Sequence, residues 1–204
     1  MALASFLAWH RFHSTFNPYR LNICQSATLM GIGDTIAQKL EGDSVREAGG
    51  VVPAHDFTRL VVLASWAGCI NAPFWVWWYR YLDVSWPKGK VAGWVLASAA
   101  LSPPWNAAFF CWTTSLNHAV KEKGGLTPVG LNSLQGKLHT RLSEDLVPTV
   151  KKSVTLWVPF NYLNFWLIPL NYRMLTGGVV ALGWNVFLSW QANNGSGAGA
   201  VKRL

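Results

Sequence analysis

Apolar residues in this chain gather into long uncharged runs. No Asp, Glu, Lys or Arg occurs in 60–79, 91–120, 153–172 or 174–201. Each run is long enough for a helix that crosses ~30 Å of hydrocarbon. The pattern predicts an all-α fold, an integral membrane bundle of four transmembrane helices without a β-sheet. The four spans are expected at 60–79, 91–118, 153–170 and 174–190. A fifth segment, 17–40, is also apolar but carries Gln25, Ser26, Thr28, Asp34 and Gln38. Arg20 and Asp34 lie too close together to bound a full span. This segment is expected to be helical, and either crosses behind other helices or lies partly in the interface.

Turn residues punctuate the runs. Asn17-Pro18 has the form of a helix start, an N-cap followed by Pro in the first turn. Pro73 is placed to kink the second segment, whose end, WVWWYRYLD, reads as an aromatic belt at the water boundary. Pro103-Pro104 must break or bend the helix over 91–118. Pro169 to Arg173 leaves room only for a tight hairpin between the last two spans. The Gly-rich stretch 41–58 reads as a loop. The polar connection 121–152 contains LQGKLHTRLSEDLVPTVKK, a candidate amphipathic helix at the surface. Three units follow: an amphipathic arm at 1–16, the bundle at 17–192, and a flexible tail at 193–204.

Composition agrees with a membrane setting. Charged residues make up 13% of the 204 residues and apolar ones 51%, against about 25% charged in soluble domains. The mean hydropathy of +0.20 understates lipid compatibility, because the index scores as polar the 13 Trp and 5 Tyr that favour membrane interfaces. The net charge of +8 comes from 17 basic residues lying between the apolar runs. With four spans, thirteen of them fall on the side of the termini and four on the other, which points both termini toward the matrix or cytosol. Should 17–40 also cross, the bias weakens but keeps its sign. No nucleic-acid motif accompanies the charge, so nucleic acid is not an expected partner; membrane lipids are.

Residues 1–20 hold His10, Arg11, His13 and Arg20, several hydroxyls and no acid, the composition of a mitochondrial transit peptide. This stretch is expected to stay attached, as an arm on the membrane surface or as an internal address. Cys24, Cys69 and Cys111 lack a Cys-x-x-Cys pair and read as small buried hydrophobes. The histidines do not reach zinc spacing, and His55, His118 and His139 read as isolated. Neither metal nor cofactor is expected. No nucleophile–base pair or phosphate loop is present, so the chain does not read as an enzyme.

The informative residues are polar ones within apolar runs, which are costly unless partnered or water-facing. Asp34 follows Gly31 and Gly33 and precedes Gln38 by one turn, placing Asp34 and Gln38 on one face. Asn161 and Asn164 share a face beside Pro159, as Asn185 and Ser189 do on the last helix. Together with Arg173 these are candidate intramembrane polar or pore-lining residues. They either bond across helices or face a water-filled lumen. Asp34 is expected to be buried with a partner, Arg173 first. Ala27, Gly31 and Gly33 offer a small-residue face for helix packing. Asn71 and Asn106 sit beside Pro kinks, where they are placed to satisfy freed backbone groups.

The segments NPYRLNICQSATLMGIGDTIAQKL, APFWVWWYRYLD, LWVPFNYLNFWLIPLNYR and GWNVFLSW follow one another in this order. Together they resemble the Mpv-seventeen family, which includes the peroxisomal membrane protein of twenty-two kilodaltons, over roughly 17–192. The resemblance implies a small four-helix integral membrane protein without enzyme activity. Its location would be the mitochondrial inner membrane, or second the peroxisomal membrane. It implies a role as a weakly selective channel in solute and membrane homeostasis. Two positions depart from the family pattern. Ala72, Pro73 and Val76 stand where Gly-Pro and a following His are frequent, and Ala97-Ser98 where an Asp-Gln pair is. These losses keep open a rival expectation, a non-transporting accessory subunit of a larger inner-membrane assembly such as a respiratory complex. A homo-oligomer is the other assembly expected.

Overall fold

The computed structural model describes residues 2–47, 49–85, 90–122 and 127–194, and no strand occurs among them. Helix α1 spans Ala2–Phe16 and α2 Pro18–Glu47. The junction falls at Asn17, whose N–H still donates to the His13 carbonyl at 2.8 Å. Pro18, which has no N–H to give, opens the next helix. Helix α2 then runs well past Leu40 into the stretch that reads as a loop from the sequence. Residues 41–47 contain no proline, and the one glycine, Gly42, is buried within the helix. Arg46 pairs with Asp43 one turn back at 3.1 Å, and the Ser44 hydroxyl returns to the Leu40 carbonyl at 3.0 Å. The stop comes only at Gly49, at φ 74°, a left-handed conformation that Gly adopts without a Cβ penalty.

Helix α3, Phe57–Ser85, starts at Asp56, whose carboxylate accepts the Arg59 backbone N–H at 2.9 Å. It continues through Pro73 by a widened π turn at Trp66–Asn71, where the Ala72 N–H bonds the Ala67 carbonyl. Pro73 offers no N–H to the carbonyl four residues earlier. The wider turn just ahead of it takes up the mismatch. The same device recurs at Arg141–Asp145, upstream of Pro148. Residues 128–167 therefore form one continuous helical run, α6 (Pro128–Thr140) passing through that turn into α7 (Leu146–Leu167). The amphipathic stretch is helical as expected, with no buried residue over Pro128–Thr140, but it continues into the apolar run instead of ending before it; the buried Arg141–Asp145 pair, 2.8 Å apart, bridges the join.

Helices α4 (Val91–Ala100) and α5 (Ser102–Lys121) part at Leu101, with Pro103 and Pro104 in the first turn of α5. The break falls where the sequence predicts it. Ile168 is extended at the end of α7, and α8 (Leu170–Asn194) turns straight back as a hairpin. The tail expected from residue 193 lies, beyond Asn194, outside the described residues, as do residues 86–89 of the connector before α4.

Helix α2 packs along α8 and α3, while α4 and α5 pack on α7. Two apolar clusters hold this arrangement. Met30, Leu63, Trp66, Phe109, Phe110 and Leu188 form one; Tyr79, Leu82, Trp94, Val95 and Phe165 form the other. Small residues set the approach of α2. A Cβ on Gly33 would stand 2.8 Å from the Asn185 Cβ and 3.3 Å from backbone atoms of Asn185 and Val186. Ala27 faces Gly68 of the π turn, and Gly31 lies opposite Leu60. Among the described residues, α3 is the helix long and apolar enough, by length and composition, to cross a membrane.

The cysteines correct another expectation. Cys24 and Cys69 are exposed and Cys111 is half-buried, all as free thiols. An apolar run in a bundle has an outer face as well as an inner one, so apolar neighbours in sequence do not imply burial.

Candidate functional site

Asp34 is fully buried, and its cationic partner is Arg59 rather than Arg173. The Arg59 Nε stands 2.7 Å from Asp34 Oδ1, which also accepts the Ser189 hydroxyl at 2.5 Å. The Gln38 amide donates to Asp34 Oδ2 at 2.8 Å. Arg59 continues as a fork onto Glu41, at 2.7 and 2.9 Å, and its Nη2 donates to Ser189 at 2.8 Å. Gln38 also clasps the start of α3, accepting the Asp56 N–H at 2.7 Å and donating to the Asp56 carbonyl at 3.2 Å. Three helices are thereby tied at one end of the bundle: α2 by Asp34, Gln38 and Glu41, α3 by Arg59, and α8 by Ser189. Arg173 instead lies at the α7–α8 hairpin, where it bonds the carbonyls of Ile168 and Phe165. Arg59 escapes a reading of intramembrane polar residues because it borders its apolar run instead of interrupting it.

The network reaches the surface through Asp56, which pairs with Lys121. Burial works against the charge on Asp56, but the hydrogen bonds from Lys121 and from the Arg59 backbone, with both cations nearby, outweigh it. Its carboxyl is held below the ordinary range. Close by in sequence, His118 is not isolated: it is buried, and its Nδ1 stands 2.9 Å from Glu122 Oε2. Lys137 also bonds Glu122 and, chiefly through that bond, holds its carboxyl below the ordinary value. The spacing of four between His118 and Glu122 was the available signal.

A second polar region lies at the centre of the bundle. A cavity of about 160 Å³ has members of both apolar clusters in its wall. Its polar lining includes Asn71, Ser98, Ser102, Asn106, Ser153 and Asn161, and Asn185 also reaches it. Arg173 is the one charged side chain in the wall among the described residues. Of the candidate pore-lining residues, then, Asn161, Arg173 and Asn185 meet at the cavity, joined there by Asn71 and Asn106. Asp34, Gln38 and Ser189 belong to the ion-pair network. Asn164 belongs to the hairpin, accepting the Thr176 hydroxyl at 2.7 Å and donating to the Arg173 carbonyl at 3.3 Å.

The serines of the cavity went unnoticed in the sequence because Ser, like Ala, is an ordinary small residue in a packed helix. Ser98 and Ser102 straddle the break at Leu101. Ser98 accepts the Trp78 indole N–H at 3.0 Å, and Ser102 bonds Ser153 across to α7 at 3.0 Å. Asn106 donates to the Ser102 carbonyl at 2.8 Å, a group in its own helical turn and not one of the Ala99 and Ala100 carbonyls that Pro103 and Pro104 leave without an N–H. Asn71 does something else: its Oδ1 accepts the indole N–H groups of Trp75 at 3.0 Å and Trp105 at 3.1 Å. Val76, where a His is frequent in the family the sequence resembles, is buried in the core.

Arg173 is buried at 7% exposure. Its Nε donates to the Ile168 carbonyl at 3.0 Å and its Nη2 to the Phe165 carbonyl at 3.4 Å. The guanidinium lies over the rings of Trp94 and Phe165, 5.1 and 5.4 Å from their centroids. Nη1 makes no hydrogen bond, and the nearest carboxylate, that of Asp83, is 3.8 Å away. The Oδ1 of Asn161 is likewise buried without a hydrogen bond.

Comparison with known proteins agrees with the resemblance in sequence. The model of the Mpv17 / PMP22 family matches residues 133–189. The chain is 32% identical over 166 residues to the protein SYM1 of Mycosarcoma maydis, covering 79% of this chain and 73% of that protein. It is 28% identical over 185 residues to the protein sym1 of Aspergillus oryzae, covering 89% and 94%. With the mitochondrial inner membrane protein Mpv17 of Bos taurus it shares 27% identity over 183 residues, covering 88% and 93%. No solved structure matches. The location expected from the sequence, the mitochondrial inner membrane, is the one that relatives spanning most of the chain carry in their names. A relative 32% identical over 79% of the chain, together with the family match across the last two helices, shows that this chain belongs to the Mpv17 / PMP22 family.

Proposed function

We propose that the protein crosses the mitochondrial inner membrane four times, at 60–79, 91–118, 153–170 and 174–190, and that its central cavity is part of a pathway for small solutes. The four-span arrangement is supported by large apolar side chains on the outside of every one of these segments. Val61, Leu96, Trp166 and Val179 are 62 to 71% exposed, a pattern costly in water and natural against lipid. The pathway is supported by one observation above all. Polar groups from α3, α4, α5, α7 and α8 converge on a single central space, where a sealed bundle would place apolar side chains. The reading is non-catalytic.

Purified protein in planar bilayers tests it. Reproducible conductance supports the pathway, and silence from correctly folded protein overturns it. The accessory-subunit reading draws support from a different feature. The Asp34–Arg59–Glu41 network closes one end of the bundle with paired charges, and the indoles of Trp66, Trp75 and Trp105 fill space beside the cavity. Native electrophoresis of a mild extract separates the two. Co-migration with a megadalton assembly favours the subunit, and migration as a small oligomer favours the pathway.

A further inference from the structure

We infer that the central cavity is a binding site for a small organic monoanion, a carboxylate with an apolar body, held through Arg173. The inference deepens the solute-pathway reading and rests on it for the role of the site, though not for the binding itself.

Arg173 is the starting point. A buried guanidinium is stabilised when its N–H groups are bonded and its charge is balanced. Here two donors are used on backbone carbonyls and Nη1 is left over. The Asp83 carboxylate makes a long ion pair with Nη1 at 3.8 Å, beyond hydrogen-bond reach; it is 31% exposed and does not line the cavity. The remaining acids near the core are committed elsewhere: Asp34 and Glu41 face Arg59, and Asp145 faces Arg141. The cavity thus has a positive end and no carboxylate in its described wall.

Three properties of the space narrow the ligand. A planar carboxylate matches the geometry of a guanidinium edge better than a spherical ion does. With one cation in the wall, a singly charged anion is balanced, whereas a dianionic phosphate monoester would bring a second charge into a low-dielectric site without a partner. The size is also telling. The space of about 160 Å³ is close to the roughly 150 Å³ that takes up benzene in an engineered apolar cavity. Trp66, Trp75, Trp105, Trp157 and Trp184 supply the apolar wall, and Ser102, Ser153 and Asn161 supply polar contacts along it. Asn161 can present either an acceptor or, with its amide turned over, a donor.

Benzoate is the probe, with its uncharged isostere benzamide and inorganic phosphate beside it. The full chain is placed in lipid nanodiscs and binding is followed by calorimetry and by the intrinsic tryptophan signal. Saturable benzoate binding is expected, at least tenfold tighter than benzamide, with phosphate not competing. Arg173→Gln should weaken it at least tenfold, and the exposed-surface control Arg46→Gln should leave it unchanged. Since Arg173→Gln removes hairpin contacts and can fail to fold, Ala181→Leu, which fills the cavity from α8, gives a second test and should also weaken binding tenfold. Equal binding of benzamide, preferential binding of phosphate, or benzoate binding that survives Ala181→Leu in folded protein overturns the inference. Conductance in bilayers without benzoate binding overturns it alone and leaves the pathway standing. Benzoate binding without conductance supports the site and overturns the pathway.

Discussion

At the scale of residues, the Asp34–Arg59 pair decides most. Both side chains are almost wholly removed from solvent, so either one alone would be an uncompensated buried charge. Losing one partner of such a pair costs about 3–5 kcal/mol. Asp34→Asn keeps the shape and one acceptor, and Glu41 still faces Arg59, so the expected loss is about 3 kcal/mol. The double variant Asp34→Asn, Arg59→Met should lose less than the sum of the singles in denaturant titrations. Additive losses would mean the two do not act as a pair. Asp56 offers a finer comparison. It caps α3 and pairs with Lys121. Asn can cap but cannot pair, so Asp56→Ala should cost about 1 kcal/mol more than Asp56→Asn. Because the folded carboxyl titrates below its ordinary value, its ionic contribution is present above about pH 4 and fades as the pH falls through the folded value. The wild type and Asp56→Asn should therefore converge in stability on acidification and differ at neutral pH. A constant gap across that range would show that the ion pair contributes nothing. Asp34 itself was legible as a costly intramembrane acid in need of a partner. Which cation would serve it was not, because Arg173 lies alone between two apolar runs and draws attention, whereas Arg59 only borders one, and the three-dimensional arrangement alone reverses that order.

At the scale of elements, helix boundaries follow the residues that lack a donor or a Cβ. The break before Pro103-Pro104 and the hairpin around Pro169 were legible because a missing N–H acts locally. The extension of α2 to Glu47 was not, since its polar stretch looks like a loop, yet it has no proline and its Gly42 is accommodated as a buried helical position before the left-handed Gly49. The small residues of α2 divide by what lies opposite. Gly33→Ala drives a Cβ to 2.8 Å from Asn185 and should destabilise by about 1–3 kcal/mol through overpacking. Gly31→Ala meets only Leu60, at 3.9 Å, and should gain up to about 1 kcal/mol from helix propensity. Thermal unfolding of the two variants side by side checks the contrast, and equal effects would remove the close-approach argument.

At the scale of the whole molecule, the sequence carried the helical class and the set of polar residues, but not their partition into a charged knot at one end and a cavity at the centre. Spacing along a helix gives a shared face; it does not say which neighbour that face meets. Helix α3 carries both features on one rod, with Arg59 before the π turn at Trp66–Asn71 and Tyr79 and Leu82 after it. In an α-helix each residue advances the side-chain direction by about 100°. The turn therefore works as a phase shifter, setting the angle between what the first half of α3 presents to α2 and α8 and what the second half presents to the cluster around Phe165. Deleting Cys69, an exposed residue within the turn, would restore regular α-helix and swing one half out of alignment by about that angle. The deletion should cost far more stability than Cys69→Ala, and it should break either the Arg59 knot or the Tyr79 cluster, each readable by crosslinking across its own contacts. If both contacts persist after the deletion, the two halves of the bundle are not held in register by this turn.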